Sequence, residues 1–372
     1  MARKDQYAEL GDPVKIGVLM DLPHERFAQH AYRVYDLVAE QIVASKRFER
    51  GFEFVKVTPY GPPAGFIQNT IDAYHELCDQ GCIAVIGPNH SDSNIAIGPY
   101  ADARKVPVMG LGATAHGMSA WTFSVCWSSI PHDAYCMASW LKKHDYKRVT
   151  ITWDRADHAL ENILHFRNAC ARAGIKILAD ERFPQIRVPE LPEIFARTVR
   201  EHRALKPDAI AHFGTCSVAG DWVQFLHDDG WDVPKIMNDT FFGASNPANR
   251  KMFEGWVGTT MWDDDNQVMA KFYDDYVARY PKHPPPGHEM LALYRDGLTA
   301  LIEGIILAPI LTPDGVRRGL EMVQLLPSAS GGPRTCIGFS PYAHRGTQGP
   351  DVMVLRRVKN GKLIMEGRNE LF

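Results

Sequence analysis

Six residues stand where they could bind a small molecule. Ser91 lies in VIGPNHSDSN, Gly112 and Thr114 in GLGATAHG, His158 in TWDRADHAL, Cys216 in HFGTCS, and Asp239 in IMNDTFF beside Thr240. Each follows a short apolar run that reads as a strand, and open α/β sheets bind ligands at the carboxyl ends of their strands. The chemistry open to such a set is binding. Amides at a helix N-terminus beside a hydroxyl take up a carboxylate or another electron-rich group. Ser91 also reads as a helix N-cap, and the two roles use the same geometry. His158, Cys216 and Asp239 equally fit capping or turn positions. Trp153, Phe213, Phe241 and Phe242 lie near the same strand ends, where they either face a flat, apolar ligand or pack the core.

Catalytic and cofactor patterns do not assemble. Gly110, Gly112 and Ala115 fit a loose dinucleotide fingerprint, but the following WTFSVCW reads as a strand where the fingerprint needs a helix. The chain shows no G-x-S-x-G elbow, P-loop, H-E-x-x-H or C-x-x-C. The 15 histidines are scattered, and Asp263 to Asp265 lack the spacing of a calcium loop and read as a cap for the helix near Val268. The expectation is a non-enzyme without metal or cofactor.

The elements that position these residues alternate. VKIGVLM reads as a strand buried on both faces, and FEFVKV, CIAVIG and VPVMG as further strands, separated by helices over 27–46, 66–79 and 91–104. The pattern restarts at Pro131. YKRVTITW, IKILAD, DAIAHFG, PKIMND and GWVGTT are strands, with helices over 134–144, 159–173, 191–205 and 218–229. Strands separated by single helices give parallel sheets through right-handed crossovers. Three helices follow without strands between them, over 268–280, 289–307 and 313–324, and the tail DVMVLRRVKNGKLIMEG reads as a hairpin turning at Asn360 and Gly361.

Composition agrees with a globular binding protein. Of the 372 residues 45% are hydrophobic and 23% charged, the net charge is −3, and no apolar stretch nears the ~20 residues of a membrane span. Nucleic acid and direct membrane insertion are excluded as expectations. Seven cysteines cannot all pair, which fits a reducing compartment. The opening MARKDQYAELGDPVKIG shows no signal-peptide core. The expected location is therefore cytoplasmic as written, with a periplasmic or cell-surface location the alternative if a signal segment has been removed.

Four stretches in this order, KIGVLMDLP, AVIGPNHSDSN, VPVMGLGATA and CIGFSPYAHRGTQGPDVMVLRRVKNGKLI, carry a resemblance. The chain resembles the type I periplasmic solute-binding proteins of ABC transporters, in particular the branched-chain amino acid-binding group and its amide-sensing cytoplasmic relative. The resemblance implies an α/β fold of two lobes, each a mostly parallel sheet flanked by helices. Three crossings are expected near Pro131, Met261 and Cys336. One lobe takes 1–131 with 262–335, the other 132–261 with 336–372, and a ligand is held in a cleft that closes by a hinge motion. It implies that Ser91, Gly112 and Thr114 hold a ligand carboxylate and that Leu22 and Pro23 reach the cleft. His158 and Cys216 stand where the family has tyrosines, and the acidic residue that binds an α-ammonium group falls at Asp239 or Thr240. With both tyrosines replaced, the implied ligand is a small carboxylate, aromatic or otherwise hydrophobic. The implied partner is an ABC permease or, in a sensor, a regulator protein.

Overall fold

The computed structural model describes residues 11–21, 25–59, 67–114, 116–126, 128–154, 156–214, 216–285, 287–349 and 351–368; of 25–27, 216 and 217 it describes the backbone. In chain order the elements begin with β1 (Val14–Leu19), α1 (Glu25–Ala44), β2 (Phe52–Val57), α2 (Ile67–Asp79), β3 (Ala84–Ile86), α3 (Ser91–Arg104), β4 (Val108–Gly110) and β5 (Thr122–Ser124). Next come α4 (Ile130–Lys143), β6 (Arg148–Trp153), α5 (Asp157–Ala173), β7 (Lys176–Arg182), α6 (Leu191–Ala204), β8 (Ala209–Phe213), α7 (Cys216–Asp229), β9 (Lys235–Met237), α8 (Phe241–Ala244) and β10 (Val257–Thr260). The chain continues through α9 (Gln267–Arg279), α10 (His288–Leu307), α11 (Pro313–Leu320), β11 (Leu326–Pro327), β12 (Cys336–Ile337), β13 (Thr347–Gln348), β14 (Val354–Lys359) and β15 (Lys362–Arg368).

These elements form two compact units, one of residues 1–127 with 264–349, the other of 128–263 with 350–372. The first holds a five-stranded sheet in the order β2-β1-β3-β4-β5, with every pairing parallel. β1 is buried along nearly its whole length, as a run apolar on both faces requires. The order turns at β1, so the ends of β1 and β3 form the switch point where such sheets leave a crevice. α9, α10 and α11 serve this unit. Leu291, Leu298, Leu301 and Ile305 of α10 share one core with Val18, Ile86 and Met109 of the sheet.

The second unit holds a seven-stranded sheet in the order β15-β14-β10-β9-β8-β6-β7. β7, β6, β8, β9 and β10 pair in parallel, and β14 and β15 continue the sheet antiparallel. Asn360 and Gly361 join β14 to β15 with φ of 52° and 68°, the left-handed conformations a two-residue hairpin turn demands. Gly258 in β10 is required by packing, because a Cβ there would stand 1.9 Å from the Phe241 ring. The switch point of this sheet lies between β6 and β8, above which Asp154 and Gly214 emerge.

Three expectations need correction. The chain stays in the first unit through residue 349 instead of leaving near Cys336. β12 pairs with β11 and β13, and Ile337 and Phe339 enter the first unit's core. The cap of α9 is Asn266, whose side chain accepts from the Val268 and Met269 amides, while Asp263 is bound by Arg368 at 2.7 Å. A neutral amide caps as well as a carboxylate does. The last helix of the predicted trio ends at Leu320.

Candidate functional site

In the first unit the site is built around a buried carboxylate. Asp21 follows β1 and is fully buried. It accepts from the Asn89 N–H at 2.6 Å, the His90 N–H at 3.4 Å and the His90 Nδ1 at 3.1 Å. Those bonds hold the turn from β3 into α3. Burial pulls the His90 pKa down, but the charge of Asp21, its hydrogen bonds and the charge of Asp92 outweigh that and raise it. His90, not Ser91, occupies the cap position of α3, and its side chain makes no capping hydrogen bond. Ser91 is instead the first residue of the helix, because the His90 ring is turned toward Asp21.

Two glycines let the next loop lie against that helix turn. The Asn94 amide donates to the Pro88 and His90 carbonyls at 3.1 and 2.8 Å. A Cβ on Gly110 would stand 1.8 Å from Asn94 Oδ1, and one on Gly112 would stand 2.5 Å from Asn94 Nδ2 and 3.0 Å from the Ser91 nitrogen. Only bare backbone fits this approach. Ser124 Oγ fixes the Gly112 carbonyl at 3.1 Å, and Arg345 fixes that of Ala113 at 3.1 Å. Thr114 is buried, and its hydroxyl accepts from the His116 N–H at 3.1 Å. The structure thus brings Ser91 and Gly112 into contact and places Thr114 two residues further along the same loop. Ser91 is half-buried at the start of a 14-residue helix, whose dipole favours a negative group there.

The second unit gathers charged groups instead. His158 sits in the first turn of α5, and Asp239 follows β9; their Nε2 and Oδ1 stand 3.1 Å apart, with side chains 11% and 5% exposed. The contact is an ion pair in which no donor is aligned on Asp239 Oδ1. Asn162, one turn along α5, places its Nδ2 3.4 Å from the same imidazole nitrogen and donates to the His158 carbonyl at 3.2 Å. Below the pair lies Asp133 of α4, fully buried. It accepts from the Asp239 N–H at 3.3 Å and from the Thr259 hydroxyl. Burial pushes the Asp133 carboxyl well up, Asp239 pushes it further, and the opposing hydrogen bond from Thr259 does not restore it. Burial alone would lower the His158 pKa, but Asp239, with Asp133 and Asp154 behind it, raises it to about 9. His158 is therefore an imidazolium at neutral pH.

The remaining expected residues divide. Thr240 is half-buried and donates to Asn238 Oδ1 at 2.7 Å. Cys216 begins α7, where its backbone alone is described, and Leu22 and Pro23 lie outside the described residues. Trp153, Phe213 and Phe241 are core residues. Trp153 donates to Asp180 at 2.6 Å, Phe213 packs on Phe166, and Phe241 packs on Phe253. Phe242 is half-buried. Sequence reasoning passed over Asp21, Asn94 and Asp133. Asp21 carries a signal of its own, an acidic residue directly after a buried strand.

His212 on β8 is a further buried polar group. Its Nδ1 lies 2.8 Å from the Thr152 hydroxyl, and burial lowers its pKa to about 3. No helix among the described residues is long and apolar enough to cross a membrane. No group of three metal-ligating side chains occurs among the described residues.

Two mainly parallel sheets flanked by helices are the fold of the periplasmic type I binding proteins. The periplasmic binding protein family matches residues 64–362, and the chain belongs to that family, which is non-catalytic. No curated protein matches the chain. Among solved structures, a type 1 periplasmic binding protein from Bordetella pertussis Tohama I is similar with a TM-score of 0.78 at 20% identity, over 95% of this chain and 100% of that one. A leucine-binding protein from Thermotoga maritima is similar with a TM-score of 0.77 at 20% identity, over 95% and 98%. A solute-binding protein from R. palustris in complex with benzoate gives a TM-score of 0.77 at 16% identity, over 96% and 97%. At these identities the likeness is one of fold.

Proposed function

We propose that this chain is the solute-binding component of an ABC-type uptake system and captures a small organic carboxylate. The observation that carries the reading is the contact between Ser91 and Gly112. The first turn of α3 and a glycine loop meet where a Cβ on Gly112 would stand 3.0 Å from the Ser91 nitrogen. Amides and a hydroxyl held this way bind an anion without needing a positive side chain. The ligand's carboxylate is taken by Ser91, Gly112 and Thr114. His158, Cys216, Asp239 and Thr240, with Leu22 and Pro23, supply the rest of its surroundings. Relatives described with leucine and with benzoate support both an aliphatic and an aromatic acid as candidates.

A second reading has its own support. Cys78, Cys82, Cys136, Cys170 and Cys336 are free thiols, which suits a cytoplasmic sensor acting through a regulator protein. Recovery of one stoichiometric regulator in a pull-down from the native cell favours the sensor, and recovery of a permease favours transport.

The test is a thermal-shift screen of carboxylates, amino acids and amides with calorimetry on the hits. A ligand at 100 times its dissociation constant stabilises by about 2.7 kcal/mol. The expected result is a carboxylate whose shift disappears in Ser91→Ala and in Thr114→Val, without turnover. Hits confined to uncharged amides would sink the carboxylate reading.

A further inference from the structure

The carboxylate of Asp239 stands just past the end of β9, the central strand of its sheet, and the chain supplies its counter-ion. His158 Nε2 is 3.1 Å away, and both side chains are almost entirely covered. The placement of that cation is informative. A positive charge in the first turn of a helix opposes the helix dipole, and α5 begins at Asp157. Within α5 the acidic residues nearest the imidazole are Asp157 in the first turn and the buried Glu161 three residues beyond His158. From outside the helix the imidazolium is held by Asp239, 3.1 Å away. Asp133 offers no second negative charge to the surface, since its oxygens face the Asp239 amide and the Thr259 hydroxyl.

We infer that His158 is the specificity-determining residue of this site, and that by occupying Asp239 it selects acids that lack an α-ammonium group. This rests on the carboxylate reading and narrows its ligand class. A ligand ammonium brought to this place meets a carboxylate that is already paired and an imidazolium beside it. Burying a cation without a counter-ion is costly, whereas burying CH₂ in its place is not. Removing the imidazole frees Asp239 and turns the same place into an ammonium site.

The experiment compares pairs of acids that differ only in the amino group. The probes are 4-methylpentanoate against leucine and 3-phenylpropanoate against phenylalanine. They are titrated by calorimetry into the native chain, His158→Gln and Asp239→Asn. The native chain is expected to prefer the acid without the amino group by roughly 100-fold in at least one pair, the scale of a lost buried counter-ion. His158→Gln is expected to shrink that preference at least tenfold by gaining affinity for the amino acid. Asp239→Asn gains none. Equal or tighter binding of the amino acid by the native chain overturns the inference and leaves the carboxylate reading standing. So does an unchanged ratio in a folded His158→Gln. Binding of neither member of either pair, in a screen whose hits are all uncharged, overturns the carboxylate reading and the inference with it. The native-chain comparison needs no variant, so a variant that fails to fold does not shelter the idea.

Discussion

The two units use opposite means at equivalent places. In the first, a buried carboxylate, Asp21, is used up inside the protein. It fixes a turn, and the recognition surface that results is backbone and hydroxyl. In the second, a carboxylate and an imidazolium stand side by side just past the strand ends. Backbone donors keep the same character at any accessible pH. Paired ionisable side chains change with pH and with a single substitution. The first unit turns its ionisable groups, Asp21 and His90, inward to fix a turn, and the second leaves His158 and Asp239 beside the strand ends.

Removing the carboxylate from each unit breaks the comparison most severely. Asp21→Ala leaves the buried Asn89 amide without its acceptor, and a loss of about 2–3 kcal/mol is expected from one orphaned buried donor and the missing charge-assisted bonds. Chemical denaturation of the two proteins reads this. Carboxylate binding is expected to fall with it, because the turn that presents Ser91 slackens. A variant that keeps full stability would show that Asp21 does not brace the turn.

Next in size is the response to pH. His158 titrates near 9 in the folded chain, above its ordinary 6.5. A raised pKa gives stability that is complete below pH 6.5 and is lost as the pH climbs through about 9. His212 and His202 behave in the opposite sense, with burial lowering them to about 3 and about 4. Their contribution is complete above 6.5 and is lost as the pH falls toward those values. Melting temperature should therefore peak near pH 6.5 and decline by several degrees on both sides. His158→Gln should lessen the decline on the alkaline side alone, the part that Asp21 gives through His90 remaining. An alkaline side unchanged by this substitution would place the titrating group elsewhere.

The smallest effect sharpens the comparison by its absence. Arg187 binds Asp221 through two nitrogens, at 2.7 and 3.0 Å, on the exposed surface of the second unit. Arg187→Ala should cost less than about 1 kcal/mol, as exposed pairs do, and should leave the pH profile unchanged. A larger loss would mean that surface pairs, and not the buried cluster, dominate the electrostatics of this unit.

What was legible in the chain follows the same division. β1 announces itself as a run apolar on both faces, and Asn360-Gly361 fixes the last hairpin. The loop holding Gly110 and Gly112 is visible because only glycine tolerates so close an approach. The ion pair was hidden. His158 and Asp239 are far apart in sequence, and each alone looks like a capping residue. Asp133 falls just ahead of the expected helix and carries no signal of its own, and it gains a partner only where β10 brings Thr259 to it. The two-residue strands β11, β12 and β13 are too short to carry a period, so the late return of residues 336–349 to the first unit left no pattern to read.

The division of the chain also bears on its synthesis. Each unit draws on two separate stretches, and the first is completed only by residues 264–349. When β1 through β5 have left the ribosome, the core face that α10 covers is still bare for a further stretch of translation. The second unit is completed later, since β10 has no partner on its outer side until β14 emerges. At ordinary elongation rates of roughly 5–20 residues per second, the nascent chain passes some seconds with an open strand edge and uncovered apolar surface. That interval, not the finished fold, is when this protein is most exposed to aggregation and most in need of a chaperone.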